Sequence, residues 1–154
     1  MQALLKKLNH KGQAIYCLNA PPPFLHTLAQ SGATVYNRTD AAKEIEFVLV
    51  FVTLQKEIDK LIPELVPKLI GDALLWMCYP KGSSKRHKCD FNRDTGWAIM
   101  GRYNLEGVRM VAIDEDWSAL RFRNVAYIKT MTRSKLAALS AEGKLKTANT
   151  KRDT

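Results

Sequence analysis

Residues 81–90, KGSSKRHKCD, hold four cations, two hydroxyls, an imidazole, a thiol and a carboxylate. Lys85, Arg86 and Lys88, together with the free amides of a loop, suit an anion such as phosphate. The spacing is not that of a phosphate-binding P-loop, which needs a second glycine and then a Lys-Ser or Lys-Thr pair opening a helix. His87, Cys89 and Asp90 are metal-ligand types, but no second pair of cysteines or histidines stands at zinc spacing, so no metal site is expected. His10 and His26 have no partners in the sequence. Ser83 and Ser84 lie close to His87, yet neither occupies the Gly-x-Ser-x-Gly turn that presents a nucleophile. The segment reads as a solvated basic loop in which three cations are candidates for holding an anion.

An alternation of short apolar runs and helical patterns must position that loop. Residues 14–20 (AIYCLNA) read as a buried first strand, stopped by Pro21-Pro22-Pro23. A short helix with Phe24, Leu25 and Leu28 facing the sheet closes at Gly32, and residues 33–37 form a second strand. Residues 45–53 are apolar almost without alternation, which implies a central strand buried on both faces. Ile58, Leu61, Ile62, Leu65, Val66, Leu69 and Ile70 then recur at three and four, one face of a helix that Pro63 and Pro67 kink or divide. Gly71-Asp72 is the expected stop before a fourth strand over residues 73–80. Asp90 or Asn92 is placed to cap a helix running through Trp97, Met100 and Tyr103. Residues 108–114 and 117–125 read as the last two strands; with only Glu115 and Asp116 between them, they must form an antiparallel hairpin.

Repeated strand-helix-strand units require right-handed crossovers, and so an α/β fold. The expectation is a three-layer, Rossmann-like domain over residues 1–130, with about six strands in a mostly parallel sheet and an antiparallel C-terminal edge strand. Residues 131–154 are read as a basic tail, with a short helix around Leu136 and Leu139 and disorder after it.

Composition narrows the setting. A length of 154 residues suits one domain, and 46% hydrophobic with 25% charged residues is ordinary for a globular protein. The longest apolar stretch is far too short to cross a membrane, and the N-terminus lacks the apolar core and cleavage site of a secretory signal. The three cysteines are an odd number in a chain that needs no staples, which points to reduced thiols and the cytoplasm. Of the net charge of +9, residues 129–154 supply +5, seven basic residues against Glu142 and Asp153. Such a tail binds nucleic acid non-specifically or keeps a protein soluble.

The strand ends carry three motifs: Asn19-Ala20-Pro21, Tyr79-Pro80-Lys81, and Asp114-Glu115-Asp116-Trp117-Ser118. In their order and spacing they resemble a bacterial family known as domain of unknown function 3052, over residues 4–125. That resemblance implies the α/β fold and leaves the activity open. The layout is also similar to a shortened S-adenosylmethionine-dependent methyltransferase, which likewise ends in an antiparallel hairpin. Those enzymes carry a glycine-rich turn after the first strand and an acid at the end of the second. Here three prolines replace the glycines, and Asn37 stands where the acid would be, with Asp40 a poor substitute. No cofactor is therefore expected, and S-adenosylmethionine is the alternative.

Ligands of open parallel sheets bind outside the carboxyl ends of the strands. With the first and fourth strands taken as neighbours, Asn19, Tyr79, Lys81, Asp114 and Trp117 would share one pocket there. The bland reading is that Asn19 and Asp114 bond loop amides, Trp117 covers the hairpin and Lys81 is solvated. The functional expectation is an uncharacterised, non-catalytic domain binding a small ligand or protein partner. The alternatives are a transferase with a divergent cofactor loop, and a nucleic-acid binder acting through the basic loop and tail.

Overall fold

In the computed structural model, residues 1–92 and 94–128 are described; the expectations for residues 131–154 lie outside them. Six strands form one sheet in the order β2-β1-β3-β4-β6-β5. They are β1 (Ile15–Leu18), β2 (Val35–Tyr36), β3 (Ile45–Phe51), β4 (Leu69–Pro80), β5 (Leu105–Ala112) and β6 (Trp117–Asn124). The pairs among β1 to β4 are parallel, and β6 is antiparallel to both β4 and β5. β5 therefore runs with the first four strands, and β6 alone is reversed. The fold is an α/β, Rossmann-like sheet, as the run pattern implies. The reversed strand, however, is not the edge: β6 inserts between β4 and β5, and β5 forms the border.

The helices α1 (Gln2–Lys7), α2 (Pro22–Ala29), α3 (Gln55–Leu65) and α4 (Ala98–Arg102) belong to two separate cores. Side chains alternate across β3, so Val48 and Val50 join Ile58, Ile62 and Leu65 of α3 and Met100 of α4. Phe47, Leu49 and Phe51 instead join Leu5, Leu8 and Leu28, contributed by α1, the residue after it, and α2. All seven β3 residues except Glu46 are buried, which explains the unbroken apolar run. α1 has no counterpart in the strand-and-helix pattern of the sequence. It is tied to the sheet where the buried Trp76 indole N–H donates to the Leu8 carbonyl at 3.0 Å.

Three element boundaries differ from expectation, each for a local reason. Gly71 does not stop the chain before β4, which begins at Leu69; its φ of +55° is absorbed where the β3–β4 register shifts. Asp72, inside the strand, then accepts three bonds from the Arg123 side chain, the shortest 2.6 Å. Asp90 does not cap α4. Its carboxylate accepts from the Gln55 amide at 2.7 Å, at the start of α3, and Asn92 closes a turn on the Asp94 amide. β5 begins at Leu105 because Gly107 lies inside the strand, opposite Phe122 and at a second register shift.

Candidate ligand-binding site

The sheet order changes which strand ends meet. β3 lies between β1 and β4, so Asn19 is not beside Tyr79 and Lys81 as expected. The reversal of strand order falls between β1 and β3, and the carboxyl edge there gathers the loops that follow β1, β3 and β4 together with the β5–β6 turn.

The β5–β6 turn is built by its acids. One oxygen of Asp114 accepts from the amides of Asp116 at 2.8 Å and Trp117 at 2.9 Å. The Asp116 carboxylate accepts from the Ser84 hydroxyl at 2.8 Å, and its carbonyl accepts from the Lys81 amide at 2.8 Å. Ser84, only 8% exposed, also accepts from the His87 amide at 3.1 Å. The basic loop is thus not loose; a buried hydroxyl clasps it to the turn. Both carboxylates are spent on backbone and hydroxyl donors, which suits positioning rather than acid-base work.

Two cavities flank this clasp. The first, about 620 Å³, lies on the α1 and α2 side, between Leu4, Phe24, Phe51, Ile113 and Trp117, with Arg86, His87, Asp114 and Asp116 among its polar lining. Its floor is a row of four rings, Phe24, Phe51, Trp117 and His87. Each successive pair of centroids is 5.0 Å apart. Trp76 and Trp97 both donate their indole N–H to carbonyls, whereas Trp117 has no hydrogen-bond partner for its indole among the described residues. The second cavity, about 530 Å³, lies on the α3 and α4 side, with Tyr79, Lys81, His87, Lys88, Cys89 and Ser118 on its wall.

The expected residues are therefore divided by the sheet. Asp114 and Trp117 line the first cavity, Tyr79 and Lys81 the second, and Asn19 lines neither. The anion candidates separate too: Arg86 faces the first cavity, Lys88 the second, and exposed Lys85 neither. Phe24, Phe51 and His87 went unrecognised as a group because a helix residue, a strand residue and a loop histidine give no joint signal. Phe24, Phe51, His87 and Trp117 stand 27, 36 and 30 residues apart and meet only in the folded chain.

The turn after β1 bears on the methyltransferase resemblance. Asn19 takes a left-handed φ of 60°, the conformation that glycine would supply there. α2 begins with Pro21 as its cap and Pro22 and Pro23 after it, so three positions that offer amide donors in other helices have none. The Leu25 amide is already bonded to the Pro21 carbonyl at 3.1 Å. At the end of β2, Arg38 pairs with Asp40 at 2.5 Å and holds its carboxyl below the usual range. These residues do not match the cradle of such enzymes: the backbone bends correctly, but the donors are missing and the acid is engaged.

No protein-family profile matches the chain, and no curated protein is similar to it in sequence. Among solved structures, it is similar to a protein from Sulfolobus solfataricus assigned as a type 11 methyltransferase. The TM-score is 0.50 at 9% identity, over 86% of this chain and 96% of that one. A protein of the NADB-Rossmann superfamily from Streptococcus agalactiae aligns with a TM-score of 0.45 at 12% identity, over 80% of this chain and 56% of that one. These are likenesses of fold. No helix among the described residues is long and apolar enough to cross a membrane.

Proposed function

We propose that this protein is a non-catalytic, Rossmann-like binding domain. Its ligand is a small molecule with a flat unsaturated ring, bound in the cavity between α2 and the β5–β6 turn. The single observation that carries this reading is the row of four rings ending in Trp117, whose indole N–H has no partner within the described protein. A ring entering the cavity beside these side chains gains about 0.5–1.5 kcal/mol for an aromatic pair beyond its buried area. Arg86, at the mouth, and the indole N–H supply the polar contacts that orient it. Asp114 and Asp116 shape the turn and take no part in chemistry.

The test is a titration of the full chain with indole, adenine and benzoate, followed by two-dimensional NMR. At least one ring compound should move the Trp117 indole signal at millimolar concentration and leave Trp76 and Trp97 unmoved. Trp117→Phe should weaken that binding about fivefold or more, by loss of the donor. If no ring compound moves the Trp117 signal, or Trp76 and Trp97 move equally, the reading fails. The transferase alternative is favoured only by the fold likeness and the bend at Asn19. Heat with millimolar S-adenosylmethionine in calorimetry that is undiminished in Trp117→Phe and absent with adenine alone would favour it over the binding domain.

A further inference from the structure

The second cavity differs in charge from three others in the structure. Lys81 and Lys88 stand on its wall with His87, and no carboxylate does among the described residues. By contrast Asp114 and Asp116 accompany Arg86 in the first cavity, Asp40 accompanies Arg38 in the shallow hollow beside β2, and Glu46 and Asp72 line the small one beside Gly71. Neither lysine makes an ion pair with the described residues, whose salt bridges are confined to Arg38, Arg121 and Arg123. Ser118, opposite Tyr79 in the sheet, is only 8% exposed and lies on the same wall. Phe91, Met110 and Pro80 supply apolar surface beside these groups.

We propose that this cavity is a second binding site, for the phosphate group of a small phosphorylated molecule, held between Lys81 and Lys88 with Ser118 as a neutral donor. Two separate ammonium groups act as point charges, and a phosphate monoester carries up to about twice the charge of a carboxylate for them to hold. The geometry around the site is fixed rather than adaptive. Lys81 leaves the end of β4 with its amide on the Asp116 carbonyl, and Ser84 clasps the loop that carries Lys88. Lys81 and Lys88 meet no counter-charge on this wall, so a phosphate bridging them gains two charge-assisted contacts, with Ser118 offering a neutral one. The site is independent of the ring-binding cavity, which opens on the other face of the sheet, His87 being the one wall residue common to both.

The experiment is calorimetry and ³¹P NMR on the full chain with inorganic phosphate and with phenyl phosphate at low salt, using sodium acetate as the carboxylate arm. Phosphate should bind more tightly than acetate, and phenyl phosphate more tightly than phosphate because the apolar wall takes its ring. Lys81→Gln and Lys88→Gln should each weaken phenyl phosphate about tenfold or more, as expected for loss of one charge-assisted bond. Lys85→Gln, on the same loop but off the cavity, should leave it unchanged. Lys88 is exposed, so its variant tests the site even if Lys81→Gln disturbs the fold. Absence of phosphate binding, acetate binding equally well, or an equal loss with Lys85→Gln overturns the proposal. So does tighter binding of a DNA oligonucleotide that falls in parallel with all three lysine variants, because that is a diffuse polyanion surface.

Discussion

Ser84→Ala removes the clasp between the basic loop and the β5–β6 turn. The hydroxyl makes two bonds, donating to the Asp116 carboxylate at 2.8 Å and accepting from the His87 amide at 3.1 Å. A bond to an ionised group contributes about 1.5–3 kcal/mol net and a neutral one about 0.5–1.5 kcal/mol. Asp116 is half-buried and regains water when the hydroxyl is lost, so the low end of both ranges applies, roughly 2 kcal/mol in all. That sum is the local anchoring of the loop. Opening the loop does not require the sheet to unfold, so only part of it, about 1 kcal/mol, should reach global stability, a fall of roughly 2–6 °C in Tm. Hydrogen exchange resolves the two levels. The amides of His87 and Lys81 should exchange on the order of tenfold faster or more, while those of β3 change only by the global loss. Ser83→Ala, exposed and without a side-chain bond to the described residues, is the control. If the His87 amide exchanges at the parent rate in Ser84→Ala, the clasp does not hold the loop and the rigidity argued for both cavities is wrong.

Gly96→Ala should lose about 2 kcal/mol or more in urea denaturation, because φ is +88° and a Cβ would lie 2.6 Å from the Cβ of Phe91; an unchanged midpoint would refute that contact. Asn19→Gly should be neutral or stabilising and Asn19→Val destabilising by about 1–2 kcal/mol, as the left-handed conformation demands, again read from denaturation midpoints. Burial pushes the Cys17 thiol up to about 12 and raises Cys78 well above its ordinary value. A raised thiol means that the unfolded chain ionises first, so stability should be constant below pH 9 and fall from there toward pH 12. Cys17→Ala should flatten that fall, and a pH-independent midpoint over this range would contradict the burial. In the native chain a thiol reagent should find Cys89, half-buried, well ahead of the other two.

Runs of residues carried the architecture. The unbroken apolar stretch of β3, the three-and-four recurrence of Ile58, Ile62 and Leu65, and the short link before Trp117 each report a local period or length. Hydrophobic burial acts on those periods directly, so a central strand, an amphipathic helix and a hairpin were all legible. Pro63 was read as a kink or break, yet it lies inside α3, and Pro67 follows in the 3-10 turn after it. Glycines misled most. Gly71 and Gly107 were taken as punctuation between elements, although both lie inside strands at shifts of register, which nothing in the local sequence distinguishes from a turn.

What the sequence alone determined was the kind of layer this chain makes and the chemistry present at its strand ends: Asn19, the Lys81 loop and the Asp114–Trp117 turn all fall on the carboxyl edge. Only the tertiary structure decided which of them share a cavity. Strand order is set by long-range pairing, and β3 entered between β1 and β4 while β6 entered between β4 and β5. Side-chain alternation then sent Tyr79 to one face and Trp117 to the other. Composition fixes how many residues must be buried, but the face on which a polar neighbour emerges depends on register, a relation between segments that no single segment contains.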